Sequence, residues 1–94
     1  MSMSTLDIIA EKIIKEQELV IGPMAWSEAG KVQGLQIAPD HHVALGSPDP
    51  KITIDELIAR YERLFGRASH EVCRDAAASL VSTLSPTEIP LSLR

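Results

Sequence analysis

Aromatic residues are nearly missing from this sequence: Trp26, Tyr61 and Phe65 are the one Trp, one Tyr and one Phe in 94 residues. A core must therefore be assembled from Leu, Ile, Val, Ala and Met. A chain of this length buries only roughly 60–65% of its unfolded surface, so one copy alone is expected to be modestly stable and self-association is expected from the outset. Cysteine is nearly missing too. Cys73 is the one thiol, which excludes an internal disulfide and suits a reducing compartment. A long apolar run is lacking: Leu19 to Trp26 is the longest, and Gly22-Pro23 interrupts it. It falls far short of the roughly 20 residues that span a bilayer. Met1-Ser2-Met3-Ser4-Thr5 has neither a basic segment nor an apolar segment of the secretory kind. A cytoplasmic protein with no membrane contact is expected.

A basic excess is also absent. The formal net charge is −4, the opposite of a nucleic-acid footprint, and no nucleic-acid partner is expected. The charge is uneven. Residues 1–50 hold three Lys against seven acidic groups, while residues 51–94 hold six cations against six. Every Arg lies in the second half. No Gly-rich phosphate loop, paired-carboxylate motif or G-x-S-x-G turn occurs. The attachment serine of an Asp-Ser-Leu carrier motif is absent as well. An enzyme is not expected, nor is a cofactor.

What is present reads as one small α+β domain over residues 1–94, mainly helical. Ser4 is placed to cap a helix with Asp7 three residues on and Met3 and Ile8 as flanking apolar residues. Leu6, Ile9, Ala10, Ile13 and Ile14 follow at helical spacing, and Val20 and Ile21 fall on the same side. Ile8 and Leu19 point out of the back, separated by Lys12 and Lys15. Such a second apolar strip predicts contact with another chain. Gly22-Pro23 ends or kinks this helix, and Pro23 suits the first turn of a short helix from Met24 to about Lys31. Residues 34–46 alternate as a β-hairpin with Leu35, Ile37, Val43 and Leu45 on one face. Ala38-Pro39-Asp40-His41 forms its turn, and Gly46-Ser47-Pro48-Asp49-Pro50 forms the loop after it. Two strands are marginal alone, so the hairpin must pack on helices or on another chain.

The second half predicts an αα-hairpin. Thr53-Ile54-Asp55-Glu56 has the spacing of a capping box, with Ile52 and Leu57 as its staple. Leu57, Ile58, Tyr61, Leu64 and Phe65 then share a face, and Gly66 ends the helix. Ser69 is placed to cap the next one, whose apolar face is Val72, Cys73, Ala76, Ala77, Leu80, Val81 and Leu84. Beyond Ser85-Pro86 an extended strap is expected, with Ile89, Leu91 and Leu93 covering the core or reaching a partner.

Four groups of residues carry chemistry worth weighing. Asp40-His41-His42 and His70-x-x-Cys73 contain metal-ligand types, and His70 and Cys73 share a helix face. Adjacent histidines in a turn splay apart, however, and a free Cys on an apolar stripe usually packs. Cys73 as a nucleophile needs exposure and a lowered pKa, and no third orienting residue or oxyanion loop accompanies it. Arg60, Arg63 and Arg67 recur along one flank, with Arg74 beyond the turn. They suit a partner's carboxylates, although Glu56 neutralises part of the stripe. A helix-turn-helix reading fails, because the second helix exposes Glu71 and Asp75 beside Arg74. Finally, the Leu19 to Trp26 run places Trp26 and Met24 at a helix break, as an interface anchor would be placed.

The expectation is thus a non-enzymatic interaction or regulatory module acting as a homodimer. Ile8, Leu19, Met24 and Trp26 are expected at the interface, and Arg60, Arg63 and Arg67 toward an acidic protein partner. The alternative is a metal- or redox-responsive regulator using Cys73 and His70, with His42 as a further ligand.

Overall fold

Ser4 opens the first helix as its spacing predicts. In the computed structural model, which describes residues 4–46 and 48–94, the Asp7 amide donates to Ser4 Oγ at 3.1 Å and the Ser4 amide to Asp7 Oδ2 at 3.2 Å. This reciprocal cap starts α1, Thr5–Ile21. Met3, expected to flank the cap, and Ser47, expected in the loop, lie outside the described residues. Gly22, at φ 75°, ends α1. The short α2 follows, Met24–Ala29, ending before Gly30 rather than at Lys31. Next come β1, Leu35–Ile37, and β2, Val43–Leu45, an antiparallel pair with Gln36 opposite Ala44. Then α3, Pro50–Phe65, and α4, Arg67–Val81, meet across the single residue Gly66 at φ 90°. The fold is mainly helical α+β with a two-stranded hairpin and a closing αα-hairpin, as the patterning predicts.

One face of each long helix makes the core. Ile9, Ile13 and Ile14 of α1 meet Ile54, Leu57 and Ile58 of α3 and the small Cys73, Ala76 and Ala77 of α4. Those small side chains let α4 approach α1 closely, and α1–α4 is the most extensive helix pairing of the fold. Tyr61 is fully buried and donates its hydroxyl to the Ala25 carbonyl at 2.7 Å, tying α3 to α2. The hairpin packs on α1 through a matched spacing. Asp7 Oδ1 accepts from the Leu45 amide at 3.0 Å and Glu11 Oε1 from the Val43 amide at 3.0 Å. Carboxylates four apart on a helix lie about 6 Å apart along its axis. Amides two apart on a strand lie about 6.8 Å apart, close enough for one helix to cap one strand edge.

Several expectations are corrected. The helix α3 starts at Pro50, with Asp49 as its cap accepting from the Lys51 and Ile52 amides. The Thr53 to Glu56 spacing is not used as a capping box. Proline at the first helical position loses no bond that the helix would make, so the earlier start wins. Thr53 is buried within the helix, and its hydroxyl turns back to the Asp49 carbonyl. Ile52 is exposed, so its staple with Leu57 does not form, and Leu64 is half exposed rather than on the inner face. Ser69 does not cap α4: the helix begins at Arg67 directly after Gly66, and Ser69 is buried in its first turn. Val20 faces solvent instead of the core: Gln17 is the last buried residue of α1, and Val20 stands 63% exposed at the rim of the α1–α4 seam. The tail is not extended. It folds into 3-10 turns at Pro86–Glu88 and Leu91–Leu93 and returns across α3 and α4 with Leu93 buried.

Candidate functional site

The bend between α1 and α2 concentrates exposed apolar surface. Leu19 is 79% exposed, Val20 63% and Met24 51%, while Ile8, near the other end of α1, is 41% exposed. Trp26, expected beside them, is 8% exposed and belongs to the core. The correction has a simple source: α2 follows the bend at once and turns its Ala25, Trp26 and Ala29 inward. Three of the four residues expected at an interface therefore reach solvent, and the indole does not. It stacks instead on His41 at the hairpin turn, with ring centroids 4.0 Å apart and planes inclined by 15°. His41 reaches that position in the left-handed region, at φ 69°.

Leu19 and Val20 also form one wall of an open groove between α1 and α4, with Val72 and Ala76 on the other. Lys12 and Glu16 stand on the α1 side and Asp75 on the α4 side. None of these three charges forms a side-chain ion pair or hydrogen bond among the described residues. Sequence reasoning missed Val20, Val72, Ala76, Lys12 and Asp75 as a group, because their proximity comes from the first and last long helices of the chain, which the sequence pattern does not pair.

Cys73 is fully buried. Gln17 Nε2 donates to its Sγ at 3.3 Å and to the Ser69 carbonyl at 2.8 Å. Burial pushes the thiol up to about 11 against the lowering contribution of Gln17, the reverse of what an activated nucleophile needs. Gln17 did leave a trace in the sequence, a polar residue four positions after Ile13 on the buried stripe. His70 does not join Cys73 on a common ligand. Its Nδ1 lies 2.9 Å from Glu62 Oε2, and its Nε2 lies 2.7 Å from the Ser92 carbonyl. His42 is engaged elsewhere, 3.2 Å from Glu11 Oε1. Among the described residues no group of three His, Cys, Asp or Glu side chains is placed to hold a metal ion.

Ser92, His70, Asp55 and Glu62 bring together the residue types of a hydrolytic triad, but the connections differ. Ser92 Oγ donates to Asp55 Oδ1 at 2.5 Å, while the imidazole meets the Ser92 carbonyl. The imidazole therefore does not contact the hydroxyl it would have to deprotonate in a triad.

The arginine stripe is shorter than expected. Arg60 Nε is held by Glu28 Oε1 at 3.0 Å, and Glu28 also binds Lys31 at 3.0 Å. Lys31 first, and Arg60 with it, hold the Glu28 carboxyl below the usual carboxylate range. The neutralising acid is therefore Glu28, 32 residues away, and not Glu56. Arg63 and Arg67 remain exposed. Among the described residues no helix is long and apolar enough to cross a membrane. Compared with known protein families, curated proteins and solved structures, the chain matches none.

Proposed function

We propose that this chain is a non-enzymatic interaction module that acts as a homodimer, joined through the groove between α1 and α4. The observation that carries the reading is the exposure of Leu19 and Val20 beside Val72 and Ala76, rimmed by charges of both signs that have no side-chain partner among the described residues. A second copy related by a two-fold axis presents the same surface reversed. That arrangement sets Lys12 of each copy against Asp75 of the other, while Leu19 and Val20 cover one another. Fully burying a Leu or Val side chain is worth about 1.5–3 kcal/mol. Four such side chains across two copies then offset an association cost of about 4–15 kcal/mol only in part or narrowly. The dimer is accordingly weak and concentration-dependent. Arg63 on α3 and Arg67 at the start of α4 do not line this groove and are offered to an acidic protein. The lone buried thiol suits a cytoplasmic setting.

Sedimentation velocity on charge-exchanged variants tests the reading. Lys12→Glu alone and Asp75→Lys alone should each sediment as monomers, and an equimolar mixture should recover the dimer. Arg63→Glu combined with Arg67→Glu should leave the dimer intact. A wild-type protein that stays monomeric at every concentration, or single variants that dimerise as well as wild type, would overturn it.

A further inference from the structure

Residues 85–94 return over the αα-hairpin, where Lys51 of α3 donates to the Thr87 carbonyl at 2.9 Å and a cluster around Ser92 fastens the end of the strap. The Ser92 amide and hydroxyl both donate to Asp55 Oδ1 of α3, at 3.0 and 2.5 Å. The Ser92 carbonyl faces His70 Nε2 of α4 at 2.7 Å, and His70 Nδ1 faces Glu62 Oε2 of α3 at 2.9 Å. Leu93, the next residue, is buried among the core side chains. An imidazole flanked by a carbonyl and a carboxylate has two acceptors and no donor around it. Neutral imidazole carries one N–H. Either neutral tautomer therefore points a lone pair at Glu62 or at the Ser92 carbonyl. Only the imidazolium satisfies both contacts.

We propose that His70 is a proton-operated clasp, which holds the 85–94 strap on the αα-hairpin while its ring is charged and loosens the strap when the ring loses its proton. The charged groups around it are mixed. Glu62 and, through Ser92, Asp55 favour the clasped state from α3. Arg74, one turn further along α4, opposes it, and Arg74 is itself turned toward Glu71 at 4.0 Å and the Arg94 carbonyl at 3.3 Å. From α1 the neutral Gln17 amide reaches the Ser69 carbonyl, one residue before His70, and no charged group of α1 bears on the ring. The balance favours the charged ring: the Ser92 carbonyl raises the His70 pKa most, burial opposes it, and Glu62 adds to the rise. A group whose folded pKa is raised stabilises fully below its unfolded value of about 6.5. That contribution is lost as pH rises through the folded value. The clasp is therefore closed in mild acid and opens on the alkaline side.

Nitrogen NMR of the His70 ring, together with amide exchange at Ser92 and Leu93 between pH 5.5 and 9, tests this. With exchange corrected for its intrinsic pH dependence, protection at both amides should fall several-fold through the same pH at which the ring loses its proton. That transition should lie above the value for histidine in the unfolded chain. Glu62→Gln keeps an acceptor but removes the charge, and should move both transitions together to lower pH. Two results would overturn the clasp: a ring already neutral at pH 6, or protection that ignores the ring's titration. Neither depends on the oligomeric state.

Discussion

At the scale of single residues, burial sets the reactivity of the polar groups inside the fold. Cys73 combines full burial, a hydrogen bond from Gln17 and a pKa pushed up to about 11. A thiol reagent at neutral pH should react with it only when the molecule opens. The rate of labelling by iodoacetamide should therefore follow global unfolding in urea and approach the free-thiol rate beyond the midpoint. Fast labelling in native buffer would mean that the α1–α4 seam breathes on its own. Tyr61 is a second such group: its hydroxyl is bonded to Ala25 and burial raises its pKa. Some of this was legible in the sequence. Cys73, Ala76 and Ala77 share a stripe at helical spacing and pack as that stripe predicts. Trp26 misled because it lies in an apolar run at a helix break, where an anchor and a core residue look alike until the path of the chain after Gly22-Pro23 is known.

At the scale of elements, the helix starts show which signals prevail. Ser4 and Asp7 form the cap that their spacing predicts, and Gly66 ends α3. At the start of α3 two signals competed, and Asp49 with Pro50 prevailed over Thr53 with Glu56. The tail gave no local signal for its path, since the groups that hold it, Asp55 and His70, stand 37 and 22 residues away. The hairpin has strands of three residues each, too short to stand without α1. Its attachment through Glu11 has a definite pH dependence. Burial pushes the Glu11 carboxyl up, but the Lys15 ammonium, the Val43 amide and His42 together hold it below the usual carboxylate range. A depressed folded pKa stabilises above the unfolded value of about 4.5 and is lost as pH falls through the folded value. Acidification below about pH 4.5 should thus release the Val43 amide before the helices melt. Amide exchange at Val43 and Leu45, compared with far-ultraviolet circular dichroism, would check the order. Simultaneous loss of both signals would show that hairpin and helices unfold as one unit.

At the scale of the whole molecule, the scarcity of aromatics has been met within the chain. The radius of gyration is 11.9 Å, against about 12 Å for a compact fold of this length, and both Trp26 and Tyr61 lie inside. The surplus apolar surface sits at the last turn of α1, where Leu19 and Val20 are exposed beside the groove toward α4. If two copies join there, melting must respond to mass action. The Tm should rise by several degrees across about a hundredfold range of protein concentration. Leu19→Glu should melt at one temperature throughout that range, because an exposed side chain is lost without harm to the core. A wild-type Tm that does not move would count against the dimer.

The three histidines share a placement that gives the molecule a common weakness. His41 leans the hairpin turn on Trp26, His42 ties the same turn to Glu11, and His70 secures residues 85–94. Each sits at a joint between an appendage and the helical body, and none lies within the body's apolar packing. A reagent that acylates imidazole would therefore unfasten the appendages and leave the three long helices standing.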